Sequence, residues 1–154
     1  MNQIARMVAI SSIALLGACA SVQYGDKVSE AELKKFLPLP DAVSLYVCRE
    51  QALLFAAGVR TIVMVDNQPI GTLKPNMFAH AIVKPGKHEV FLKRDGIYGG
   101  QSGVFTFDAK AGDLAFVWAG MTGMGFGTLT VDAFDNVSSA QDCVKGAAYA
   151  VVAE

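Results

Sequence analysis

Apolar and polar residues alternate along most of the chain in short runs, interrupted every few positions by Gly, Pro, Asn or Asp. From Ala42 onward this pattern predicts strands near residues 43–49, 59–65, 68–73, 78–83, 88–94, 103–108, 114–118 and 127–134. Within residues 88–94, Val90 and Leu92 share one face and Glu89 and Lys93 the other, where Phe91 is the exception. Leu129, Val131 and Ala133 likewise oppose Thr128, Thr130 and Asp132. Strands of this kind have one dry and one wet face. Residues 59–65 turn apolar on both faces toward their end, which predicts a central strand. Asp66-Asn67 suits a tight hairpin, since both residues tolerate left-handed backbone angles, and Lys84-Pro85-Gly86-Lys87 is a second turn. Many short strands with frequent turns predict a mainly β fold, a small antiparallel β-sandwich.

Two helices break the pattern. Ser29 and Glu32 have capping-box spacing and predict a short helix over 30–36, stopped by Pro38 and Pro40. Ser138 or Ser139 predicts a C-terminal helix with Lys145 in its last turn and Gly146 closing it. The tail after it, 147–154, is ambiguous between helix and edge strand.

The first residues follow neither period. Arg6 precedes the apolar run 7–16, which is too short to span a bilayer, and Gly17-Ala18-Cys19 follows. A cationic start, an apolar stretch and small residues describe an export signal. Leu16-Gly17-Ala18-Cys19 resembles the lipobox of bacterial lipoproteins, which implies a diacylglyceryl thioether on Cys19 and cleavage before it. Residues 1–18 are then a lipoprotein signal peptide, 19–41 a tether and 42–154 the sandwich domain. Ala20, where Asp commonly retains such proteins at the inner membrane, favours the outer membrane, with the domain facing the periplasm.

Composition narrows the field further. The chain has 154 residues, 53% of them hydrophobic, and a formal net charge of −1. Nucleic-acid binding would need a basic surplus, so no nucleic-acid partner is expected. With Cys19 lipidated, Cys48 and Cys143 remain. In an oxidising compartment they predict a disulfide, the alternative being two buried thiols. Cys48 shares a strand face with Ser44 and Tyr46, opposite Leu45 and Val47, so the bond would fasten the C-terminal helix to the sheet.

The body resembles an uncharacterised bacterial family, domain of unknown function 2846, often found on lipoproteins. The resemblance rests on Val43-Ser44-Leu45-Tyr46-Val47-Cys48-Arg49, on Val63-Met64-Val65-Asp66-Asn67-Gln68-Pro69-Ile70-Gly71-Thr72-Leu73, and on Val83-Lys84-Pro85-Gly86-Lys87-His88-Glu89-Val90. The last two also resemble the PEGA-type β-sandwich pattern. Asn67 stands where Gly is usual and Cys48 where an aromatic is usual. The resemblance implies a lipid-anchored sandwich and no known activity.

Candidate chemistry is sparse. Gly120-Met121-Thr122-Gly123-Met124-Gly125-Phe126-Gly127 lacks the Lys of a phosphate loop and reads as a hairpin. Its functional alternative is an adaptable partner surface of Met121, Met124 and Phe126. His80, His88 and the cysteines lack zinc-site spacing, so no metal or cofactor is expected. No nucleophile signature accompanies either histidine. Arg49 is expected to pair with an acidic group near the sheet edge, and Trp118 to lie in the core. These residues predict a non-enzymatic envelope module whose partners are the membrane, through its lipid, and another envelope protein or peptidoglycan. The alternatives are a cell-wall or lipid hydrolase and a peptidoglycan-binding module.

Overall fold

A computed structural model of the chain describes residues 22–52, 57–96, 99–123 and 127–152. The elements are β1 (Gln23–Tyr24), α1 (Lys27–Leu33), β2 (Val43–Arg49), β3 (Thr61–Val65), β4 (Gln68–Leu73), β5 (Met77–Val83), β6 (Gly86–Arg94), β7 (Phe105–Ala109), β8 (Leu114–Thr122), β9 (Thr128–Ala133), α2 (Val137–Gly146) and β10 (Ala148–Val151). They form a six-stranded sheet, β1-β10-β5-β2-β8-β9, facing a four-stranded sheet, β4-β3-β6-β7. The fold is the mainly β sandwich with a C-terminal helix that the alternation predicts.

Strand parity builds the core. Leu45 and Val47 on β2, Ala79 on β5 and Val117 on β8 point inward, against Val63 and Val65 on β3 and Val90 and Leu92 on β6. The apolar β3 is central in its sheet, as its pattern predicts. Pro69 lies on the edge strand β4, where its missing N–H costs no ladder bond. A register shift at Val63/Met64 accommodates the residue next to it. Asp66 and Asn67 make the β3–β4 turn with φ of 48° and 65°. Phe91 is the exception to alternation because Met64 lies opposite it on the outer face and the Lys93 ammonium is 5.5 Å from its ring centre.

Three expectations are corrected. The larger sheet is mixed rather than antiparallel: β2 runs parallel to β8 and β10 parallel to β5. Alternation reports which face a residue takes, not which strand lies beside it. Residues 22–41 are not a free tether either. Val22 is buried in the inter-sheet core, β1 pairs with β10, and α1 lies against the outer face of the larger sheet. The tail 147–154 contributes β10, which is an inner strand because β1 covers its edge.

Both helices start earlier than predicted. Asp26, not Ser29, caps α1, accepting the Ser29 amide at 2.8 Å. Asn136, not Ser138 or Ser139, caps α2, accepting the Ser139 amide at 2.9 Å. In each case a short carboxylate or amide side chain upstream satisfies the first free N–H groups.

Candidate functional site

The outer face of the larger sheet carries most of the large aromatics. Tyr46 on β2 stacks on Phe116 of β8 with ring centres 5.2 Å apart, and Phe78 on β5 stacks on Tyr149 of β10 at 5.3 Å. The residues between them, Leu45, Val47, Ala79 and Val117, face the other way, so the strand period alone separates an aliphatic interior from an aromatic exterior.

The two helices cover part of this face. Cys143 of α2 is bonded to Cys48 of β2, with Cα atoms 6.3 Å apart, which fastens helix to sheet as the cysteine parity predicts. α1 is held by polar contacts: the Tyr46 hydroxyl donates to the Leu33 carbonyl at 2.9 Å, and the Lys34 ammonium donates to the Ala147 carbonyl at 2.7 Å. Glu30 accepts from Lys34 at 2.8 Å and from the Tyr149 amide at 3.1 Å. The Lys34 bond outweighs the effect of burial and, with the Tyr149 amide and Lys27, takes the Glu30 carboxyl down to about 2. Beyond α1 the chain reverses at Phe36, whose φ of 53° is costly for a bulky residue. The turn brings its ring 5.4 Å from that of Tyr46.

Between α1, the segment 37–39 and β5 an open groove of about 450 Å³ remains. Val28, Leu37 and Ile82 form its rim, and Tyr46, His80 and Tyr149 line it below. Burial lowers His80 to about 4, so the imidazole is neutral. Its Nε2 is buried without a hydrogen-bond partner among the described residues, and its ring centre is 4.8 Å from that of Tyr46. Burial also raises the Tyr46 and Tyr149 phenols, with Asp26 adding to the effect at Tyr149. Apart from Glu32, which Lys35 pairs at 2.6 Å, the groove offers uncharged, largely apolar surface and suits an apolar occupant better than an ionic one.

The second histidine has the opposite setting. His88 Nδ1 is 2.6 Å from Asp66 Oδ2 and Nε2 is 2.6 Å from the Lys84 carbonyl. Two acceptors require two N–H groups, so this site selects the imidazolium. Burial lowers the His88 pKa, but the bonds to Asp66 and Lys84 and the Asp66 and Asp108 charges outweigh it, and the net shift is upward. For Asp66, burial is the largest effect and is upward, but the Glu89 amide and His88 carry it below the ordinary carboxylate range. The pair joins the β3–β4 turn to the β5–β6 turn.

The other predicted residues are placed as follows. Cys19, Met124 and Phe126 lie outside the described residues. Met121 packs against the inter-sheet core on the extended β8, with its partner Leu129 opposite, and so is not part of an adaptable tip. Arg49 is buried on the inner side of β2, and its guanidinium donates to the Val59 carbonyl at 2.7 Å. Burial and then the Arg94 charge lower it to about 10. Trp118 is not in the core: it lies half-buried on the outer face, folded over Gly120, with its indole N–H 3.3 Å from Glu50. Among the described residues no three His, Cys, Asp or Glu side chains come together as metal ligands. No helix among them is long and apolar enough to cross a membrane.

The groove had a signal in the sequence. Phe78, His80 and Ile82 alternate with Ala79 and Ala81, so the outward face of this strand carries the large side chains. A merely wet face would not need them. No family model, curated protein or solved structure matches the chain.

Proposed function

We propose that this chain is a lipid-anchored envelope protein whose β-sandwich is a non-enzymatic binding or structural module. On this reading residues 1–18 direct export, Cys19 carries the lipid, and Ala20 sends the protein to the outer membrane with the domain facing the periplasm.

The observation that carries the reading is Leu16-Gly17-Ala18-Cys19 at the end of an apolar run, three residues before the buried Val22. The Cys48–Cys143 bond supports it, since such bonds persist in oxidising compartments. The setting of His88 fits a structural role, since both of its nitrogens are engaged, by Asp66 and by the Lys84 carbonyl.

Labelling cells with a fatty-acid precursor tests the anchor. Wild-type chain is expected to carry label and Cys19→Ala to carry none; equal labelling ends the reading. Crosslinking in cells from Ile82, followed by identification of the captured species, tests the module. Recovery of peptidoglycan on purified wall material would favour wall binding over a protein partner.

A further inference from the structure

We propose that the mouth of the groove, carrying Val28, Leu37 and Ile82, rests on the surface of the bilayer that holds the anchor. This inference depends on Cys19 being lipidated. Its substance is orientation: the domain lies flush on the membrane by one defined face and does not swing on a leash.

The length of chain outside the folded body is the first argument. Val22 is only 7% exposed and belongs to the inter-sheet core, so the folded body reaches at least that far toward Cys19. Only Ala20 and Ser21 separate it from Cys19, and three fully extended steps span at most about 11 Å. A folded body cannot stand clear of the headgroups on so short a connection. Some part of its surface near Val22 must meet the membrane.

The register says which part. Gln23 pairs with Val151, one residue beyond the Ala150–Ala79 pair, so the chain joins the sheet level with His80 and close to Ile82, away from the Met77 end of β5. β1, β10 and β5 are consecutive strands, which puts the entry point about 10 Å from β5. The groove therefore opens within the reach of the connection.

Surface chemistry is the third argument. Val28, Leu37 and Ile82 are 74%, 63% and 64% exposed. Apolar side chains gathered in this way are costly in water and mark an interaction surface. Exposed aliphatic groups of this kind suit the boundary between acyl chains and headgroups. The charges about α1 are paired: Lys27 with Glu30, and Glu32, which lines the groove, with Lys35 just beyond the helix.

The test uses the mature lipidated chain in vesicles of phosphatidylethanolamine and phosphatidylglycerol whose acyl chains carry a nitroxide quencher. With Cys48 and Cys143 bonded and Cys19 acylated, a cysteine placed by Ile82→Cys, Leu37→Cys or Val104→Cys is the single free thiol for a fluorophore. Val104 is exposed on the four-stranded side and serves as the reference. Labels at 82 and 37 are expected to be quenched at least twofold more than the label at 104, with near-ultraviolet circular dichroism unchanged. Equal quenching at all three positions, or none at 82 and 37 in protein that floats with the vesicles, overturns the proposal while leaving the anchor intact. Shielding of 82 and 37 from an aqueous quencher that grows with protein concentration, without quenching from the lipid, assigns the face to a second copy and also overturns it. Protein that carries no acyl label and fails to float removes the anchor reading, and this inference with it.

Discussion

Glu30 and Tyr149, 119 residues apart in the chain, are joined by a 3.1 Å hydrogen bond from the Tyr149 amide to the Glu30 carboxylate. The bond ties α1 to the last strand, and Lys34 reinforces it by bridging Glu30 and the Ala147 carbonyl. Glu30→Ala leaves the amide and the ammonium without this acceptor and is expected to cost about 1–3 kcal/mol. Urea unfolding measures the loss, and faster hydrogen exchange at the Tyr149 amide reports the lost acceptor. Because the folded carboxyl is lowered from 4.5 to about 2, its contribution is complete above pH 4.5 and lost as the pH falls through 2. Unchanged exchange in the variant would show that the amide does not depend on Glu30.

His80 gives a second acid sensitivity in a different window. Its folded pKa is lowered from 6.5 to about 4, so the unfolded chain binds more protons between these values and stability rises with pH across them. Lowering the pH from 6.5 to 4 is expected to remove on the order of 2–3 kcal/mol. His80→Phe should flatten the stability profile in that window and leave the Glu30 limb below it. A slope that persists in the variant would assign the effect to another group.

His88 acts in the opposite sense. Its pKa is raised in the folded state, so its stabilisation is complete below 6.5 and is lost as the pH rises through the higher folded value. Asp66, half-exposed, screens the pair, and the effect should stay below about 1 kcal/mol. Nuclear magnetic resonance titration of the imidazole checks it directly: the midpoint should lie above 6.5 in the wild type and fall in Asp66→Asn. A midpoint that ignores this substitution would remove Asp66 as the cause.

Cys48 and Cys143 close a loop across 95 residues, which constrains the unfolded chain strongly. Replacing both by Ala is expected to cost about 2–5 kcal/mol in urea unfolding. Thiol titration of the unreduced wild-type domain should find no free sulfhydryl at either position. Two reactive thiols under denaturing conditions would refute the bond.

Trp118 reports on the outer face by itself, since it is the chain's one tryptophan. A Cβ at Gly120 would fall inside its indole ring. Gly120→Ala must therefore turn the indole outward, toward water. The expected result is red-shifted emission with a stability loss of about 1 kcal/mol, because the far end of the side chain can move. Unshifted emission would mean that the ring does not rest on Gly120.

The sequence was most legible where period two decides the matter. Leu45 and Val47 against Tyr46 and Cys48 foretell the interior, the covered outer face and the disulfide, because parity is a local property. The parallel pairing of β2 with β8 was not legible, since it depends on which distant strand arrives alongside. Residues 22–41 misled for another reason. The sequence of α1, Lys-Val-Ser-Glu-Ala-Glu-Leu, buries no residue fully and reads as solvated. Its docking rests on Glu30 and Lys34 reaching β10 and the residue just before it, a polar attachment that no hydrophobic pattern announces. The groove was half legible: the alternation of His80 and Ile82 with Ala79 and Ala81 announces its β5 side, while its other walls come from segments some fifty residues away.

The position of β10 between β1 and β5 has a consequence for biogenesis. A polypeptide leaves the ribosome amino end first, so β10 emerges well after β1 and β5, the strands it joins. Until it emerges, β5 has one unpaired edge, β1 has no neighbour and Glu30 lacks the amide it will hold. The nascent chain is thus kept short of its final shape until β10 has been made and can enter between β1 and β5.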